Sequence, residues 1–136
     1  MTVDVSTDAD RLDVDLVHRW LSEDAYWALG RPREVMDRAI AGSLNFGAYA
    51  DGRQVGYARV VTDGATFAWL CDVYVDPTAR GLGVGKALVA AVDAALTGFG
   101  VRRAILATED AHTLYAPFGF EPLADAHRWL IRTSPG

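Results

Sequence analysis

Residues 70–89 read LCDVYVDPTARGLGVGKALV, and this stretch decides the fold. The apolar run that leads into it, Ala65–Val75, is too continuous to expose one face to water, so we expect a central strand. Apolar residues then recur every three or four positions over Gly83–Phe99, which predicts a helix packed on a sheet. Three glycines alternate where the strand gives way to the helix: Gly81, Gly83 and Gly85.

The glycine-rich start of this helix predicts an anion-binding site. Backbone N–H groups at a helix N-terminus point along the axis and, with the helix dipole, bind phosphate, while the absent Cβ atoms let a ligand approach closely. Arg80 and Lys86, the only lysine of the chain, add positive charge on either side. We therefore expect the loop to hold a diphosphate, and a tight turn without a ligand is the alternative.

The spacing of the loop excludes the two common nucleotide-binding motifs. A GxxxxGK[ST] loop needs Gly and then Ser or Thr where this chain has Arg80 and Ala87. The dinucleotide fingerprint GxGxxG meets Lys86 or Leu88 where it requires Gly or Ala. The diphosphate therefore belongs to another class of ligand.

The segments before this region predict two helices and a hairpin. Asp10 or Asp13 is suited to cap the first helix, and Pro32 to begin the second. Apolar residues alternate on both sides of Asp51-Gly52, which predicts a β-hairpin with a type I′ turn.

The chain after the long helix predicts a strand, a short helix and a last strand. The first strand covers Arg103–Ala107, Asp110 is expected to cap the helix, and Arg128–Arg132 can form the last strand. With a weak strand over residues 2–7, the order is β, α, α, β, β, β, α, β, α, β, which indicates an α/β fold with a mixed sheet. We expect one domain over residues 1–136.

Composition excludes several classes of function. With 51% apolar and 23% charged residues, the chain is typical of a soluble globular domain. A net charge of -5 argues against nucleic acid or an anionic membrane as the main partner, because both bind clustered Lys and Arg. No apolar run approaches the ~20 residues of a membrane helix, and the acidic start is unlike a signal peptide, so we expect a cytoplasmic protein. Cys71 is the only cysteine, which fits a reducing compartment.

Three segments of the sequence resemble the GNAT-superfamily N-acetyltransferases. In that family a strand runs into the acetyl-CoA loop Arg/Gln-x-x-Gly-x-Gly/Ala and a helix, as residues 70–89 do here. A strand (RRAILAT, residues 102–108) and a helix with Leu-Tyr followed by Gly-Phe (DAHTLYAPFGF, residues 110–120) follow in the same order and at matching intervals. The likeness covers nearly the whole chain and implies the GNAT fold, a mostly antiparallel mixed sheet with helices on both faces.

The resemblance implies transfer of acetyl from acetyl-CoA to a primary amine of a small molecule or peptide, without a metal. The central strand and the strand that ends near Thr108 would splay apart, so that the pantetheine arm lies between them and pairs with backbone groups of Val73 and Val75. The implied acetyl-CoA contacts are Val73, Val75, Arg80, Gly81, Gly83, Val84, Gly85, Lys86, Thr108 and Tyr115. Relatives on this fold often pair through an edge strand, so a homodimer is the assembly that the resemblance implies.

Catalytic roles also follow from the resemblance. Tyr115 would protonate the departing thiolate, and the Val73 backbone N–H would bind the oxyanion. Some relatives have a carboxylate base where this chain has Cys71, for which a small buried core side chain is the other interpretation. Asp72 matches a common family aspartate and is a further candidate, although regular alternation puts it on the face opposite Cys71. A water chain can also remove the amine proton.

Two departures from the family pattern leave an alternative function open. Thr108 stands where many relatives have an Asn that orients pantetheine, and Pro117 falls inside the short helix that carries Tyr115. A catalytically weak acyl-CoA binding or sensing domain on the same fold is therefore the alternative to an enzyme. His112 is interpreted as a residue near a helix start rather than as a base.

The acceptor side of the site is predicted between the first two helices. Glu23, Tyr26 and Trp27 form a mixed acidic and aromatic cluster, which suits a protonated amine by charge and cation–π contact. A solvated loop with both aromatic rings tucked onto the core is the alternative.

Overall fold

A computed structural model describes residues 2–135 and shows one five-stranded sheet. The strands lie side by side in chain order, with antiparallel neighbours except for the parallel pair at the end. This arrangement confirms the predicted mixed sheet. The strands are β1 (Asp4–Ser6), β2 (Leu44–Ala50), β3 (Arg53–Thr62), β4 (Ala68–Val75) and β5 (Ala104–Ile105).

Four α-helices cover the two faces of the sheet: α1 (Val14–Asp24), α2 (Arg33–Ala41), α3 (Val84–Phe99) and α4 (His112–Tyr115). The Asp13 carboxylate accepts a hydrogen bond from the Leu16 amide, so Asp13 rather than Asp10 caps α1. Pro32 precedes α2 as predicted. None of the helices within residues 2–135 has both the length and the apolar character that crossing a bilayer requires.

The β2–β3 hairpin confirms the strongest local prediction. Asp51 and Gly52 have φ angles of 52° and 77°, the two left-handed residues that a type I′ turn requires. The hairpin places β3 in the middle of the sheet, beside β4.

Two hydrophobic clusters hold the helices on the sheet. On one face, α3 packs on side chains from all the long strands, among them Phe46, Val60 and Leu70. On the other face, α1 and α2 pack on Tyr57 and Tyr74. The three long strands are therefore buried between two helical layers, and the short edge strands β1 and β5 are less well covered.

The central strand differs from its prediction in start and in burial. It begins at Ala68 rather than Ala65, because the Asp63 carboxylate accepts hydrogen bonds from the Ala65 and Thr66 amides and holds them in a turn. Its residues alternate between buried and partly exposed, with Trp69 45% exposed. The partly exposed residues of the strand, Trp69, Cys71, Val73 and Val75, all line a cleft.

The last predicted strand does not form. Residues 129–135 have no regular structure, and Leu130 and Ile131 are 96% and 92% exposed. The neighbouring edge strand β5 covers only Ala104–Ile105, so it offers too short a ladder for another strand. Asp110 does not cap α4 either, because the Thr108 hydroxyl accepts the Ala111 amide hydrogen instead.

Close packing beneath α3 gives a stability prediction. A Cβ atom at Gly56 in β3 would lie 2.9 Å from Val84 Cγ1 and 3.2 Å from the Tyr74 carbonyl oxygen. We expect Gly56→Ala to lower the free energy of unfolding by about 1–3 kcal/mol in urea titrations.

The matched control is Gly98→Ala in α3. Nothing lies within 4 Å of its Cβ position, and alanine is the better helix former, so we expect a gain of up to about 1 kcal/mol. A loss of stability in both variants would contradict close packing as the cause.

Candidate active site

A cleft opens where β4 and β5 stop pairing. Their ladder contains only two pairs, Ala68 with Ala104 and Trp69 with Ile105. Beyond these pairs, the rest of β4 faces the segment Leu106–Asp110 across open space. The main-chain groups of β4 on this side therefore have no strand partner. The splay that the sequence resemblance implied is present.

The cleft has a volume of about 790 Å³, within the range of small-molecule sites. It draws its lining from the end of α1 and the following loop, from β4, from the start of α3, and from the chain between β5 and α4. The lining residues are Asp24, Ala25, Tyr26, Trp27, Trp69, Leu70, Cys71, Asp72, Val73, Tyr74, Val75, Arg80, Gly85, Leu106, Ala107, Thr108, Glu109, Asp110, Ala111, Leu114 and Tyr115.

The glycine-rich loop forms one end of the cleft. Gly81 and Gly83 have φ angles of 78° and 86°, a left-handed conformation that favours glycine. The first intrahelical bond of α3 joins the Ala87 amide to the Gly83 carbonyl, so the amides before it have no partner in the helix. Val84 is buried against the core, which leaves only its backbone for a ligand.

Arg80 lies at the mouth of this end. Its guanidinium donates to the Val75 carbonyl at 3.1 Å and to the Asp24 carboxylate at 3.3 Å, and it lies 5.2 Å from the centre of the Tyr74 ring. The hydrogen bond from the Tyr74 hydroxyl, together with Arg80, holds the pKa of Asp24 below its usual value. Arg80 and Gly85 are the loop residues that line the cleft, whereas Gly81, Gly83, Val84 and Lys86 lie outside its lining.

Tyr115 projects into the cleft from the end of α4. The side chain is buried, with its ring edge-on to Phe120 at 6.0 Å. Burial, with Tyr26 and Asp110 acting in the same direction, raises the pKa of Tyr115 to about 12. The phenol is therefore protonated at neutral pH and can donate a proton or a hydrogen bond.

A bulge in β4 sets the direction of Asp72. Arg59 pairs with Cys71 and Tyr57 pairs with Tyr74, so two residues of β4 oppose one residue of β3 between these pairs. Asp72 has a φ of 52° in this bulge. Because directly opposed residues project to one face, Arg59 and Cys71 share a face, and the Asp72 carboxylate binds Arg59 there. The expectation of regular alternation was wrong.

The Asp72 carboxylate is buried, and hydrogen-bond donors surround it. Arg31 and Arg59 each donate to Oδ2 at 2.8 Å, while the Trp27 indole donates to Oδ1 at 2.8 Å and Arg31 donates to Oδ1 at 3.2 Å. Burial acts to raise the pKa of Asp72, but the two guanidinium groups lower it below its usual value. We call Asp72, Arg31 and Arg59 the ion cluster.

The structure also places the other residues that the sequence singled out. Burial raises the pKa of Cys71 to about 11, so its side chain is a neutral thiol near pH 7. Pro117 follows α4 in a short 3-10 turn, so the α-helix ends before it. His112 is exposed and does not line the cleft. Within residues 2–135, no group of three or more His, Cys, Asp or Glu is placed to hold a metal ion.

The predicted acceptor cluster is partly brought together. Tyr26 and Trp27 line the cleft, and the Tyr26 hydroxyl accepts a hydrogen bond from the Glu109 amide at 3.3 Å, which joins the two walls. Glu23 does not line the cleft, because the helical turn directs the next residue, Asp24, toward it instead.

Sequence reasoning missed other residues of the site. Trp69 and Leu114 contribute apolar side chains to the walls of the cleft. Arg31 and Arg59 bind the Asp72 carboxylate and hold it in place. Trp69 lies two positions before Cys71, so strand periodicity could have found it. Nothing in the sequence pairs Asp72 with arginines 41 and 13 positions away.

A family model for the acetyltransferase (GNAT) domain matches residues 41–122 of this sequence. The chain belongs to the GNAT acetyltransferases. The match includes the hairpin, β4, the glycine-rich loop, α3 and the tyrosine helix, and it confirms the resemblance found in the sequence.

Individual relatives agree with this membership. A Gibberella zeae protein named "Putative acetyltransferase" is 34% identical over an alignment of 111 residues, which covers 68% of this chain and 63% of that protein. This GNAT chain therefore spans less than two thirds of that relative. A GNAT-family crystal structure from Xanthomonas campestris pv. campestris is 50% identical, with a TM-score of 0.93 over 100% of this chain and 96% of that one. AAC(6')-Iy, in complex with a bisubstrate CoA analogue, shares the fold, with 21% identity, a TM-score of 0.68 and full coverage of both chains.

The ion cluster gives a prediction for this GNAT fold. Asp72→Asn leaves the buried Arg59 and the half-buried Arg31 with no counter-ion, so we expect a loss of about 3–5 kcal/mol in the free energy of unfolding. Because the carboxylate pKa is lowered on folding, this contribution is present at neutral pH and disappears as pH falls through the folded-state pKa.

The control is Asp15→Asn, which removes an exposed partner of Arg33. Urea titrations at neutral pH should show almost no change for this variant. If the two variants changed the free energy of unfolding by the same amount, the ion cluster would contribute no more to stability than an exposed ion pair.

Proposed function

We propose that this GNAT protein transfers the acetyl group of acetyl-CoA to a primary amine of a small molecule or peptide. The observation that carries the proposal is the cleft itself. Unpaired main chain of β4 lies along it, a glycine-rich helix N-terminus closes one end, and the Tyr115 phenol projects into it. The bisubstrate CoA analogue bound by AAC(6')-Iy, a protein of the same fold, supports acetyl-CoA as the donor.

The donor binds along β4 in this proposal. The pantetheine arm pairs with backbone groups of Val73 and Val75, opposite Thr108, as an added strand would. The diphosphate rests on the free amides at the start of α3, where anions are stabilised by the helix N-terminus. The proposed loop contacts are Arg80, Gly81, Gly83, Val84, Gly85 and Lys86, of which Arg80 and Gly85 line the cleft and the others lie where the donor extends beyond it.

The reaction is a direct attack of the neutral amine on the thioester. The nitrogen lone pair forms a bond to the carbonyl carbon, and the Val73 N–H stabilises the negative charge that develops on the oxygen. The carbon–sulfur bond then breaks with its electron pair on sulfur, and Tyr115 gives the thiolate a proton. The attacking nitrogen loses one proton to water, and solvent restores the proton of Tyr115.

We propose Asp72 as a positioning residue instead of the base that the sequence resemblance suggested. Its carboxylate already accepts hydrogen bonds from Arg31, Arg59 and Trp27, and its pKa is lowered, so it is a poor proton acceptor. The neutral thiol of Cys71 is not a base either. Water is the proton acceptor that fits these groups.

The setting of the reaction is also part of the proposal. The net charge of -5 favours neither nucleic acid nor an anionic membrane as a partner. The free Cys71 is in keeping with the cytoplasm. A homodimer is the proposed assembly, and light scattering on the purified protein reads its mass directly.

A specific observation favours a second candidate, an acyl-CoA binding or sensing domain. The two candidate bases, Cys71 and Asp72, are a neutral thiol and an ion-paired carboxylate. Acetyl-CoA binding without thiol release across a broad panel of amines would favour this candidate over the enzyme.

Donor binding is tested by thermal melting. At a concentration 100 times Kd, acetyl-CoA should stabilise the fold by about 2.7 kcal/mol and raise the melting midpoint by several degrees. Gly85→Asp should abolish this rise, because it puts a carboxylate where the diphosphate rests. A Cβ there makes only ordinary contacts, the nearest 3.5 Å from Leu114, so the variant should fold. Gly98→Asp adds the same charge elsewhere on α3 and should keep the rise.

The role of Tyr115 is tested by kinetics. Tyr115→Phe should lower kcat by about 100-fold or more while the acetyl-CoA melting shift is unchanged. Tyr49→Phe is the control, because the Tyr49 hydroxyl is buried, has no hydrogen-bond partner and lies outside the cleft.

The pH dependence of kcat is a second test of Tyr115. Since the pKa of Tyr115 is raised to about 12, its acid form persists, and kcat should not fall between about pH 8 and about pH 10. Full activity of Tyr115→Phe would refute the assignment.

A further inference from the structure

Three large aromatic side chains that line the cleft are exposed. Tyr26, Trp27 and Trp69 are 51%, 43% and 45% exposed, and all three line it. Tyr26 and Trp27 contact each other edge to face at 5.0 Å. Exposed aromatic side chains in a concave site are typical of a ligand subsite. Their burial against an apolar group of a ligand contributes a large favourable free energy to binding.

The ion cluster holds two of these rings in place. The Trp27 indole donates to Asp72, and the Arg59 guanidinium lies 6.0 Å from the centre of the Trp69 ring. Since Arg59 also binds Asp72, both indoles are supported by one buried carboxylate. A subsite that is rigid before the ligand arrives loses little entropy when it binds.

Trp69 marks the part of the cleft farthest along β4 from the glycine-rich loop. Along β4, Val75 leads to the glycine-rich loop, whereas Trp69 lies four residues before Val73 in the other direction. At a rise of about 3.3 Å for each residue, Trp69 is about 13 Å along the strand from the proposed oxyanion donor. The bulge between them shortens this distance. The Trp27 indole binds Asp72, the residue next to Val73 in the chain, so a ring held against Trp27 is a short linker away from a nitrogen at the thioester.

The charges around the cleft select against an anionic acceptor. Among the residues that the structure describes here, the cations Arg31 and Arg59 are bound to Asp72, and Arg80 is bound to Asp24. The opposite wall carries the exposed carboxylates of Glu109 and Asp110. The site therefore attracts an ammonium group and offers no uncommitted cation to a carboxylate.

We propose that Tyr26, Trp27 and Trp69 form the acceptor subsite and that the acceptor is a small arylalkylamine, a primary amine on a short linker to an aromatic ring, with no carboxylate. This inference rests on the proposed acetyl transfer and deepens it. The amine nitrogen becomes the amide nitrogen of the product, by the attack and proton transfers given above. The cleft volume of about 790 Å³ also has to hold the pantetheine arm, which leaves room for a small acceptor.

The test compares matched amines with acetyl-CoA as donor. We expect kcat/KM for 2-phenylethylamine to exceed the values for n-butylamine and for phenylalanine by at least about tenfold, which is 1.4 kcal/mol. n-Butylamine lacks the ring, and phenylalanine has the same skeleton with a carboxylate added. A higher value for phenylalanine, for a peptide with an aromatic N-terminal residue or for n-butylamine overturns the proposal.

Variants at Trp69 locate the subsite. Trp69→Ala should reduce the ratio of phenylethylamine to n-butylamine kcat/KM by at least about tenfold, and Trp69→Phe should restore most of it. Trp129→Ala removes another partly exposed tryptophan, stacked on Phe67 outside the cleft, and should leave the ratio unchanged. An unchanged ratio in Trp69→Ala overturns the proposal. The acetyl-CoA melting shift shows that each variant is folded.

A binding readout separates this inference from the proposed function. Phenylethylamine should quench tryptophan fluorescence of the CoA-saturated protein, and Trp69→Ala should weaken that binding by at least about tenfold. If phenylethylamine binds, Trp69→Ala weakens that binding and no amine is turned over, the subsite is supported and the acetyl transfer is refuted. Turnover of other amines, without binding of phenylethylamine, supports the transfer and overturns the subsite.

Discussion

The buried carboxylate of Asp72 is the interaction on which the site depends. Through Arg59 it joins β4 to β3, and through Arg31 and Trp27 it joins both strands to the connection between α1 and α2. Two guanidinium groups around one buried carboxylate are stable only while each oxygen of the carboxylate keeps its hydrogen bonds. One left-handed residue in a bulge therefore sets where the connection between α1 and α2 meets the cleft.

The second constraint is the early end of β5. A parallel neighbour of full length would satisfy the free edge of β4, but pairing stops after Trp69 and Ile105. An edge of this kind is normally open to another strand. In a GNAT protein the ligand proposed for that edge is itself extended and rich in amides, so incomplete pairing and donor binding are the same feature. Two parts of the cleft then differ in chemistry, with unpaired backbone amides at the glycine-rich loop and exposed aromatic rings on the walls.

Local signals explain what could be predicted from the sequence. The type I′ hairpin, the cap at Asp13 and the glycine-rich start of α3 depend on residues a few positions apart, and all three formed as expected. The strand expected at Arg128–Arg132 failed, because a strand depends on a partner and β5 provides only two residues. The prediction of Glu23 as a cleft residue failed, because neighbouring residues of a helix point in different directions and Asp24, not Glu23, faces the cleft.

The sequence by itself determined the order of elements as far as α4, the family and the glycine-rich loop, because each depends on short-range periodicity or on a motif of fixed spacing. Only the tertiary structure decided the bulge at Asp72, the pairing of that carboxylate with two distant arginines, and the gathering of Tyr26, Trp27 and Trp69. The physical reason is that desolvation makes a lone buried charge costly, so the fold has to bring its partners from elsewhere in the chain. Such partners have no spacing rule to reveal them.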